Sequence, residues 1–355
     1  MKLVTFVRTN SSAPDGNDMP AMPLFGIGAP VRGGEDGVFG GGQFSFFGEE
    51  VGILSSDGSR ILPVAETGIS YPDMNTLIAE HLPEEMETLR QAAAVLDSCP
   101  DPENEEADTS DLGEEDTCRP SFLRNGLEAR ILSPIPVPLQ DVICLGLNYT
   151  EHAEEAAAYS SAAFTSKDRY PVYFSKRVSR SPGDGDPVSA YTGLVDSLDY
   201  EAELAVIIGR DVKGITPEEV PGCIFGYTIL NDFSARNLQT RHTQWYLGKS
   251  LDGFTPMGPC IVTADEFSFP PRLAISSKVN GELRQNSTTD MLIFGIDHII
   301  ADLSAGMTLR AGTIISTGTP KGVGMGFDPP KFLHAGDTVT CTIEGIGSLT
   351  NVITE

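Results

Sequence analysis

Residues 199–209 read Asp199-Tyr200-Glu201-Ala202-Glu203-Leu204-Ala205-Val206-Ile207-Ile208-Gly209, an acidic start followed by an apolar run. The run predicts a β-strand, and the two glutamates stand two positions apart where it begins. Because successive side chains of a strand point to opposite faces, both carboxylates lie on one face. The two carboxylates either bind a cation together or form the polar edge of a solvent-facing strand, and the Glu-x-Glu pattern alone does not distinguish these alternatives.

The strand predicted at 225–230 runs into a further acidic residue, within Asn231-Asp232-Phe233-Ser234-Ala235-Arg236. We expect a helix over 234–239, so Asp232 is either its N-cap or a third carboxylate ligand, and Ser234 could be the cap instead. Three carboxylates with open positions suit a hard cation, Mg²⁺ or Mn²⁺, better than zinc, which favours nitrogen and sulfur.

The tripeptide Gly248-Lys249-Ser250 contains a lysine that could reach an anionic oxygen near a cation. The alternative is an exposed surface lysine, which is the commoner situation. The tripeptide is also similar to the end of a phosphate-binding loop, but no glycine stands five residues before Gly248, so nucleotide binding is excluded.

A histidine and a glutamate near residue 150 are candidates for acid–base chemistry. If a helix begins near Thr150, His152 and Glu155 are three positions apart and share a face, so the carboxylate can orient the imidazole as a general base. The alternative is a pair of exposed residues on a polar helix. Further along, the glycine-rich loop at 315–324 carries hydroxyl and amide groups that could receive a carboxylate, although by itself it is a turn.

Composition excludes several classes of protein. The chain has 355 residues, 40% of them hydrophobic, and no apolar run approaches the roughly 20 residues that a membrane span requires. A formal net charge of −26 without a basic stripe argues against nucleic-acid binding. The six cysteines form no CxxC pair, so no zinc knuckle is indicated. Because the first residues lack the apolar stretch of a signal peptide, we expect a cytoplasmic protein.

The chain divides near the proline-rich connector at 134–138. Residues 1–133 predict a small N-terminal α+β domain with strands at 3–7, 43–47, 52–54 and 61–64, a helical stretch at 74–96, a Gly/Pro-rich loop at 10–42 and an acidic insert at about 99–118. Residues 134–355 predict a catalytic domain with strands at 142–146, 172–175, 203–208, 225–230, 260–263, 274–279, 313–316 and 338–343, and helices at 151–159, 234–239 and 296–304. Because strands outnumber helices without a βαβ rhythm, the fold class is α+β, predominantly β, a mixed roll or sandwich.

Taken in order, these segments resemble the fumarylacetoacetate hydrolase family. The resemblance is strong over about 139–352, whereas the N-terminal part follows the family only in outline. The motifs that carry it are Gly146-Leu147-Asn148-Tyr149 with His152, Asp199-Tyr200-Glu201-Ala202-Glu203-Leu204, Asn231-Asp232-Phe233-Ser234-Ala235-Arg236, Gly248-Lys249-Ser250, Val279-Asn280-Gly281-Glu282 and Thr317-Gly318-Thr319-Pro320.

The resemblance implies a mixed β-roll catalytic domain, usually in a homodimer, and a set of site residues. It places Mg²⁺ or Mn²⁺ on Glu201, Glu203 and Asp232, and a His152–Glu155 dyad on a mobile lid. It implies substrate contacts from Arg236, Gln239, Lys249 and Thr319. Larger members carry a further metal-binding aspartate upstream of the histidine, where this neighbourhood has Asn148. The chain is therefore expected in the shorter acylpyruvase and oxaloacetate decarboxylase-like branch.

The function implied is hydrolytic cleavage of a C–C bond in a small β-diketo acid, such as an acylpyruvate, through a metal-stabilised enolate. His152, polarised by Glu155, would activate water, and Lys249 would assist charge withdrawal. Alternatives within the family are a decarboxylase of oxaloacetate-type acids and a dehydratase or isomerase of 2-oxo-3-deoxy sugar acids. A non-catalytic metal-binding protein is the remote alternative, which the full set of site residues argues against.

Overall fold

The computed structural model describes residues 1–9, 48–99, 122–160 and 170–355. The strand predicted at 43–47, the Gly/Pro-rich loop at 10–42 and the acidic insert beyond Cys99 lie outside these ranges. Within them the helices are α1 (Met74–Glu80), α2 (Pro83–Ser98), α3 (Thr150–Tyr159), α4 (Arg236–Arg241), α5 (Tyr246–Lys249) and α6 (Ile296–Gly306).

The strands of the described ranges are numbered in chain order. They are β1 (Lys2–Arg8), β2 (Glu49–Leu54), β3 (Arg60–Pro63), β4 (Leu123–Arg124), β5 (Ala129–Ile131), β6 (Val142–Gly146), β7 (Val172–Lys176), β8 (Pro187–Ser189), β9 (Leu198–Asp199), β10 (Ala202–Ile208), β11 (Ile224–Asn231), β12 (Ser234–Ala235), β13 (Met257–Thr263), β14 (Ala274–Val279), β15 (Glu282–Thr288), β16 (Ile314–Ser316), β17 (Thr338–Ile343) and β18 (Gly347–Thr354).

The larger of the two main sheets contains eleven strands in the order β4-β3-β2-β1-β13-β11-β10-β16-β6-β7, with β5 paired to β1. Only β16 and β6 are parallel among its described pairings. Strand β1 pairs with β2 on one side and with β13 on the other, so one sheet joins the N-terminal strands to the later ones. The domain boundary predicted near residue 134 is not marked by a break in this sheet, and it stays a prediction.

A second sheet of five strands, β15-β14-β17-β18-β8, packs on one face of the large sheet. Strand β10 is apolar after Glu203 because both of its faces are buried. Leu204 and Val206 belong to the core shared with the second sheet, whereas Ala205 and Ile207 belong to the core shared with α1 and α2. A strand covered on both faces reads as a continuous apolar run instead of an alternating one. The prediction of a predominantly β, α+β fold is confirmed.

Two helix predictions need correction. The stretch predicted at 74–96 is two helices, because Pro83 begins α2 and holds Leu82 before it in an extended conformation. The helix predicted at 234–239 begins at Arg236, because β12 pairs with β9 first. Its N-cap is Ala235, so the capping roles considered for Asp232 and Ser234 are both wrong. In the part of the chain that the structure describes, no helix has the length and apolar character needed to span a membrane.

Candidate active site

Three carboxylates meet at one end of the antiparallel pair β10 and β11, where β10 begins and β11 ends. Glu203 lies in β10 and Glu201 directly precedes it, whereas Asp232 directly follows β11. The antiparallel register places Ala202 opposite Asn231, which brings the three acids together. One oxygen from each carboxylate lies within 4.8 Å of the others, and all three side chains are buried. The alternative of a solvent-facing strand edge for Glu201 and Glu203 is therefore wrong.

Glu203 is surrounded by neutral donors. Its Oε2 accepts hydrogen bonds from Ser316 Oγ at 2.5 Å and from the Gly318 amide at 3.0 Å. Among the described residues, no lysine or arginine forms a salt bridge with it, and the recorded donors all reach the same oxygen. Burial and the nearby Asp232 and Glu201 carboxylates raise the pKa of Glu203 well above its ordinary value. Without a cation the neutral form of Glu203 is therefore favoured, whereas a bound cation would favour its ionised form, and Oε1 accepts no described hydrogen bond.

Glu201 has the opposite electrostatic environment. Lys249 Nζ lies 2.7 Å from Glu201 Oε2 and 2.8 Å from Asp232 Oδ2, and Arg236 Nη2 lies 2.6 Å from Glu201 Oε1. Burial alone would raise the pKa of Glu201, but Lys249 and Arg236 outweigh it and the pKa falls. Burial likewise acts to lower the pKa of Lys249, but Asp232 and Glu201 outweigh it, so the pKa rises and the ammonium form is favoured. Lys249 is 2% exposed, and its interpretation as a surface lysine is wrong.

Sequence reasoning missed two buried charged residues of this cluster. Lys176, at the end of β7, donates to Asp232 Oδ1 and to the Phe233 carbonyl. Asp199 accepts from Arg236 Nε at 2.9 Å and from the amides of Gly324 at 2.6 Å and Met325 at 3.0 Å. A signal existed for Asp199, because it continues the two-residue spacing of the glutamates. For Lys176 the only signal is a lysine that ends an apolar strand.

The charges in this cluster indicate which kind of ion fits. The cluster has four buried carboxyl groups and three buried basic side chains, and the members are Asp199, Glu201, Glu203, Asp232, Lys176, Arg236 and Lys249. Burial raises the pKa of Glu203 and lowers that of Lys176, so it disfavours the charged forms of these two groups, and a bound cation would favour the ionised form of Glu203. An all-oxygen donor set suits Mg²⁺ or Mn²⁺. The cluster could therefore bind a divalent cation, and the residues that would hold it are Glu201, Glu203 and Asp232.

His152 and Glu155 lie on helix α3, which covers this cluster. His152 is 4% exposed, and its Nδ1 lies 3.3 Å from Glu155 Oε2. The Gly322 amide donates to both Glu155 oxygens at 3.1 and 3.2 Å, which fixes the carboxylate. With Nδ1 facing Glu155, the imidazole keeps Nε2 for a reacting group. The interpretation of this pair as exposed residues on a polar helix is wrong.

The predicted substrate-binding residues lie beside the carboxylates. Arg236 Nη1 donates to Gln239 Oε1 at 2.9 Å, and Thr319 Oγ1 donates to the Ala202 carbonyl at 2.9 Å. Asn148 has a structural role instead, because its side chain bonds to the Thr317 and Phe294 carbonyls and to the Phe294 amide. Arg236, Gln239, Thr319 and Lys249 therefore line the cavity beside the carboxylates, whereas Asn148 does not join the carboxylate cluster.

A cavity of about 10 Å³ lies over the cluster, which is room for about one water molecule. This volume is far below the roughly 300 to 1,000 Å³ of typical ligand cavities. The lining combines polar and apolar side chains: Leu145, Gly146, Leu147, His152, Phe174, Glu201, Glu203, Arg236, Gln239, Trp245, Lys249, Thr319 and Met325. Such a cavity combines a possible cation site, buried cationic groups and an imidazole, which together suit proton transfer on a small anionic molecule.

The fold places a buried cluster of carboxylates beneath a helix that carries a histidine, and this combination indicates an enzyme that acts on small acids. The chain belongs to the fumarylacetoacetate hydrolase family, because residues 141–354 match the model of the fumarylacetoacetate (FAA) hydrolase C-terminal domain. Members of this family are enzymes that act on small acids.

Individual relatives carry different activities in their names. Oxaloacetate tautomerase YisK of Bacillus subtilis is 45% identical over 233 residues, covering 66% of this chain and 76% of the relative. The structure of a fumarylacetoacetate hydrolase from Exiguobacterium antarcticum is 33% identical, with a TM-score of 0.65 and coverage of 86% of this chain and 95% of its own. Fumarylpyruvate hydrolase from Pseudomonas aeruginosa, solved with Mn²⁺ and pyruvate, is 29% identical, with a TM-score of 0.54 and coverage of 63% and 91%.

Proposed function

We propose that this chain is a divalent-cation-dependent enzyme that transfers a proton at the carbon next to the oxo group of a small 2-oxo acid. The observation that carries the proposal is the acid cluster of Glu201, Glu203 and Asp232, whose two glutamates line the same cavity as His152. A bound divalent cation would favour the ionised form of Glu203, and the fully ionised cluster with the cation would carry one positive charge, which matches the single carboxylate of a 2-oxo acid. The tautomerase relative supports this reaction type.

The residues have distinct parts in this reaction. Arg236 and Lys249 hold the anionic end of the substrate, and Thr319 and Gln239 contribute neutral hydrogen-bonding groups. When bound, a divalent cation supplies Lewis-acid withdrawal of charge from the 2-oxo group. His152 accepts the C3 proton at Nε2 while Glu155 stabilises the imidazolium through Nδ1. The electron pair of the C–H bond moves toward the oxo oxygen, and return of the proton to that oxygen completes a keto–enol conversion.

C–C bond hydrolysis of an acylpyruvate is the second candidate, favoured by the same dyad and by the fumarylpyruvate hydrolase neighbour. In that reaction His152 takes a proton from water, and the hydroxide adds to the distal carbonyl. The bond between the acyl carbon and C3 then breaks with its electron pair on the pyruvate enolate, and C3 takes up the proton that His152 holds. Decarboxylation of oxaloacetate needs no such base, so His152 would be secondary there. We also propose that the cation is Mg²⁺ or Mn²⁺ and that the protein forms a homodimer, as the family resemblance implies.

The test is a panel assay with purified protein in Mg²⁺, in Mn²⁺ and after chelation. Oxaloacetate enol absorbance reports tautomerisation, diketone absorbance reports acetylpyruvate cleavage, and pyruvate release reports decarboxylation. We expect cation-dependent turnover that falls by about 10²- to 10⁴-fold in His152→Ala, with the exposed His298→Ala as the matched control. Absence of turnover above buffer for every substrate and cation contradicts the proposal, and decarboxylation that His152→Ala leaves intact identifies a decarboxylase.

A further inference from the structure

One wall of the cavity is aromatic and stands next to the charged cluster. Trp245 immediately precedes helix α5, and the Lys249 amide donates to the Trp245 carbonyl at 3.2 Å. Residues four apart lie on the same helix face, so the indole and the ammonium that contacts Glu201 and Asp232 are neighbours. Phe174 links them, because its ring centroid is 5.4 Å from that of Trp245 and 5.2 Å from Lys249 Nζ.

The position of the indole is fixed by a missing side chain. A Cβ on Gly146 would lie 2.3 Å from the Trp245 ring, closer than any real carbon contact. Gly146 is not one of the described glycines with a positive φ, so its backbone conformation does not require a glycine. The glycine instead provides the space in which the ring lies. Trp245 is thereby held between Gly146 and the edge of Phe174.

The rest of this wall is also apolar. Leu147, Met325 and Trp245 belong to one packed cluster beneath helix α3, and all three line the cavity. The cationic groups in the lining, Arg236 and Lys249, are both engaged with carboxylates of the acid cluster. If the carboxylate of a substrate faces those cations, the apolar wall that includes the indole is the part of the lining left for its remaining carbon atoms to contact.

We propose that Trp245, seated on Gly146 and supported by Phe174, sets the length of the substrate beyond C3 and restricts this site to short 2-oxo acids. The inference rests on the proposed function and adds the substrate class to it. Trp245 acts by contact with the distal part of the substrate, and it takes no part in proton transfer.

The experiment measures exchange of the C3 protons with D₂O by NMR for 2-oxobutanoate, 2-oxohexanoate and 2-oxooctanoate, with diamagnetic Mg²⁺ present. We expect wild-type kcat/KM to fall with chain length. Trp245→Ala is expected to raise the ratio of kcat/KM for the longest over the shortest acid by on the order of 10-fold or more, as for other cavities that discriminate by methylene groups. Trp245→Phe, which keeps an aromatic ring in the packed cluster, is expected to shift the ratio in the same direction by less.

Tyr246→Ala is the matched control, because Tyr246 is the next residue, is aromatic and is exposed. It is expected to leave the ratio unchanged. A second readout uses the fact that Trp245 is the one tryptophan of the chain. Its fluorescence therefore reports this wall alone, and we expect 2-oxobutanoate to change the emission of wild type, and Gly146→Ala to change it without any ligand.

The possible results distinguish failure of the role given to Trp245 from failure of the proposed function. Exchange by wild type, together with an unchanged ratio in both Trp245 variants, overturns the inference and leaves the proposed function standing. Emission that neither 2-oxobutanoate nor Gly146→Ala alters overturns it as well. Absence of C3 exchange with all three acids, together with no turnover of oxaloacetate or acetylpyruvate by wild type, refutes the proposed function instead.

Discussion

At the residue scale, Glu201 and Glu203 are two positions apart and yet have opposite electrostatic environments. Glu201 contacts Lys249 and Arg236, whereas the described partners of Glu203 are a hydroxyl and an amide. Buried carboxylates require compensation, because desolvation disfavours the charged form. The division of partners therefore leaves Glu203 as the ligand that gains most from a cation.

Ser316→Ala tests whether the hydroxyl that donates to Glu203 orients this carboxylate. Groups that hydrogen-bond a metal ligand typically contribute about 10- to 100-fold to metal affinity, so we expect Mn²⁺ binding to weaken by that factor in a calorimetric titration. Ser277→Ala is the control, because Ser277 is equally buried and its Oγ has no hydrogen-bond partner in the described structure. Equal Mn²⁺ affinity in the two variants would contradict the role given to Ser316.

The sequence predicts which residues are brought together at this site, but not how they pair. Glu201, Glu203 and Asp232 follow from strand periodicity and from the end of a predicted strand, and the family resemblance adds Arg236 and Lys249. Lys176 was missed because its contact with Asp232 spans 56 residues of chain, and only the completed fold brings the two together.

At the element scale, helix α3 is tied to the loop that follows β16. Glu155 accepts the Gly322 amide, and Ala156 packs with Val323 and Met325. A Cβ on Gly326 would lie 1.7 Å from Glu155 Oε1, so the carboxylate occupies space that only glycine leaves open. The position of the His152–Glu155 dyad therefore depends on two elements far apart in sequence.

Gly326→Ala is expected to displace Glu155 and to reduce turnover more than stability. Loss of an orienting carboxylate weakens general-base catalysis, which contributes about 10²- to 10⁴-fold in total, so we expect a decrease of at least about 10-fold in kcat. Thermal unfolding and the panel assay provide the two measurements. Gly306→Ala is the control, because a Cβ there meets nothing within 4 Å and the backbone φ is not positive. Unaltered kcat in Gly326→Ala would contradict this coupling.

Elements were predictable where burial imposes a period. The predictions at 142–146, 274–279 and 338–343 coincide with β6, β14 and β17. Strands β15 and β18 were not predicted, because each exposes several polar side chains, as in the β15 sequence Glu-Leu-Arg-Gln-Asn-Ser-Thr. Their pairing with β14 and β17 determines their structure, and a local apolar pattern does not reveal it.

At the scale of the whole molecule, the acid cluster is a source of instability that ligand binding relieves. The cluster is buried where β10 begins and β11 ends, and burial together with the neighbouring carboxylates raises the pKa of Glu203. At neutral pH this side chain therefore either carries a buried charge or takes up a proton, and both cost folding free energy. Like charges at such a site disfavour the folded state until a counter-ion binds. Function and stability are therefore expected to oppose one another at Glu203.

Glu203→Gln is expected to raise the unfolding temperature of the chelated protein at neutral pH, because glutamine has a similar volume and is neutral, whereas the buried Glu203 must carry a charge or take up a proton. In wild type, Mn²⁺ at about 100 times its Kd should add about 2.7 kcal/mol to the free energy of unfolding, and most of this gain should be absent in the variant. Differential scanning calorimetry measures both effects, with Glu84→Gln, an exposed helix position, as the control. An equal gain from Mn²⁺ in Glu203→Gln and wild type would contradict the account.

We expect Glu201, Glu203 and Asp232 to hold one divalent cation that faces a bound 2-oxo acid. An anomalous difference map from crystals soaked with Mn²⁺ and oxalate, a planar mimic of the carboxylate and oxo group, tests this directly. We expect a single strong peak in contact with oxygens of all three carboxylates and of oxalate, within reach of His152. Absence of a peak at this cluster, or a peak that oxalate does not contact, would refute the cation site.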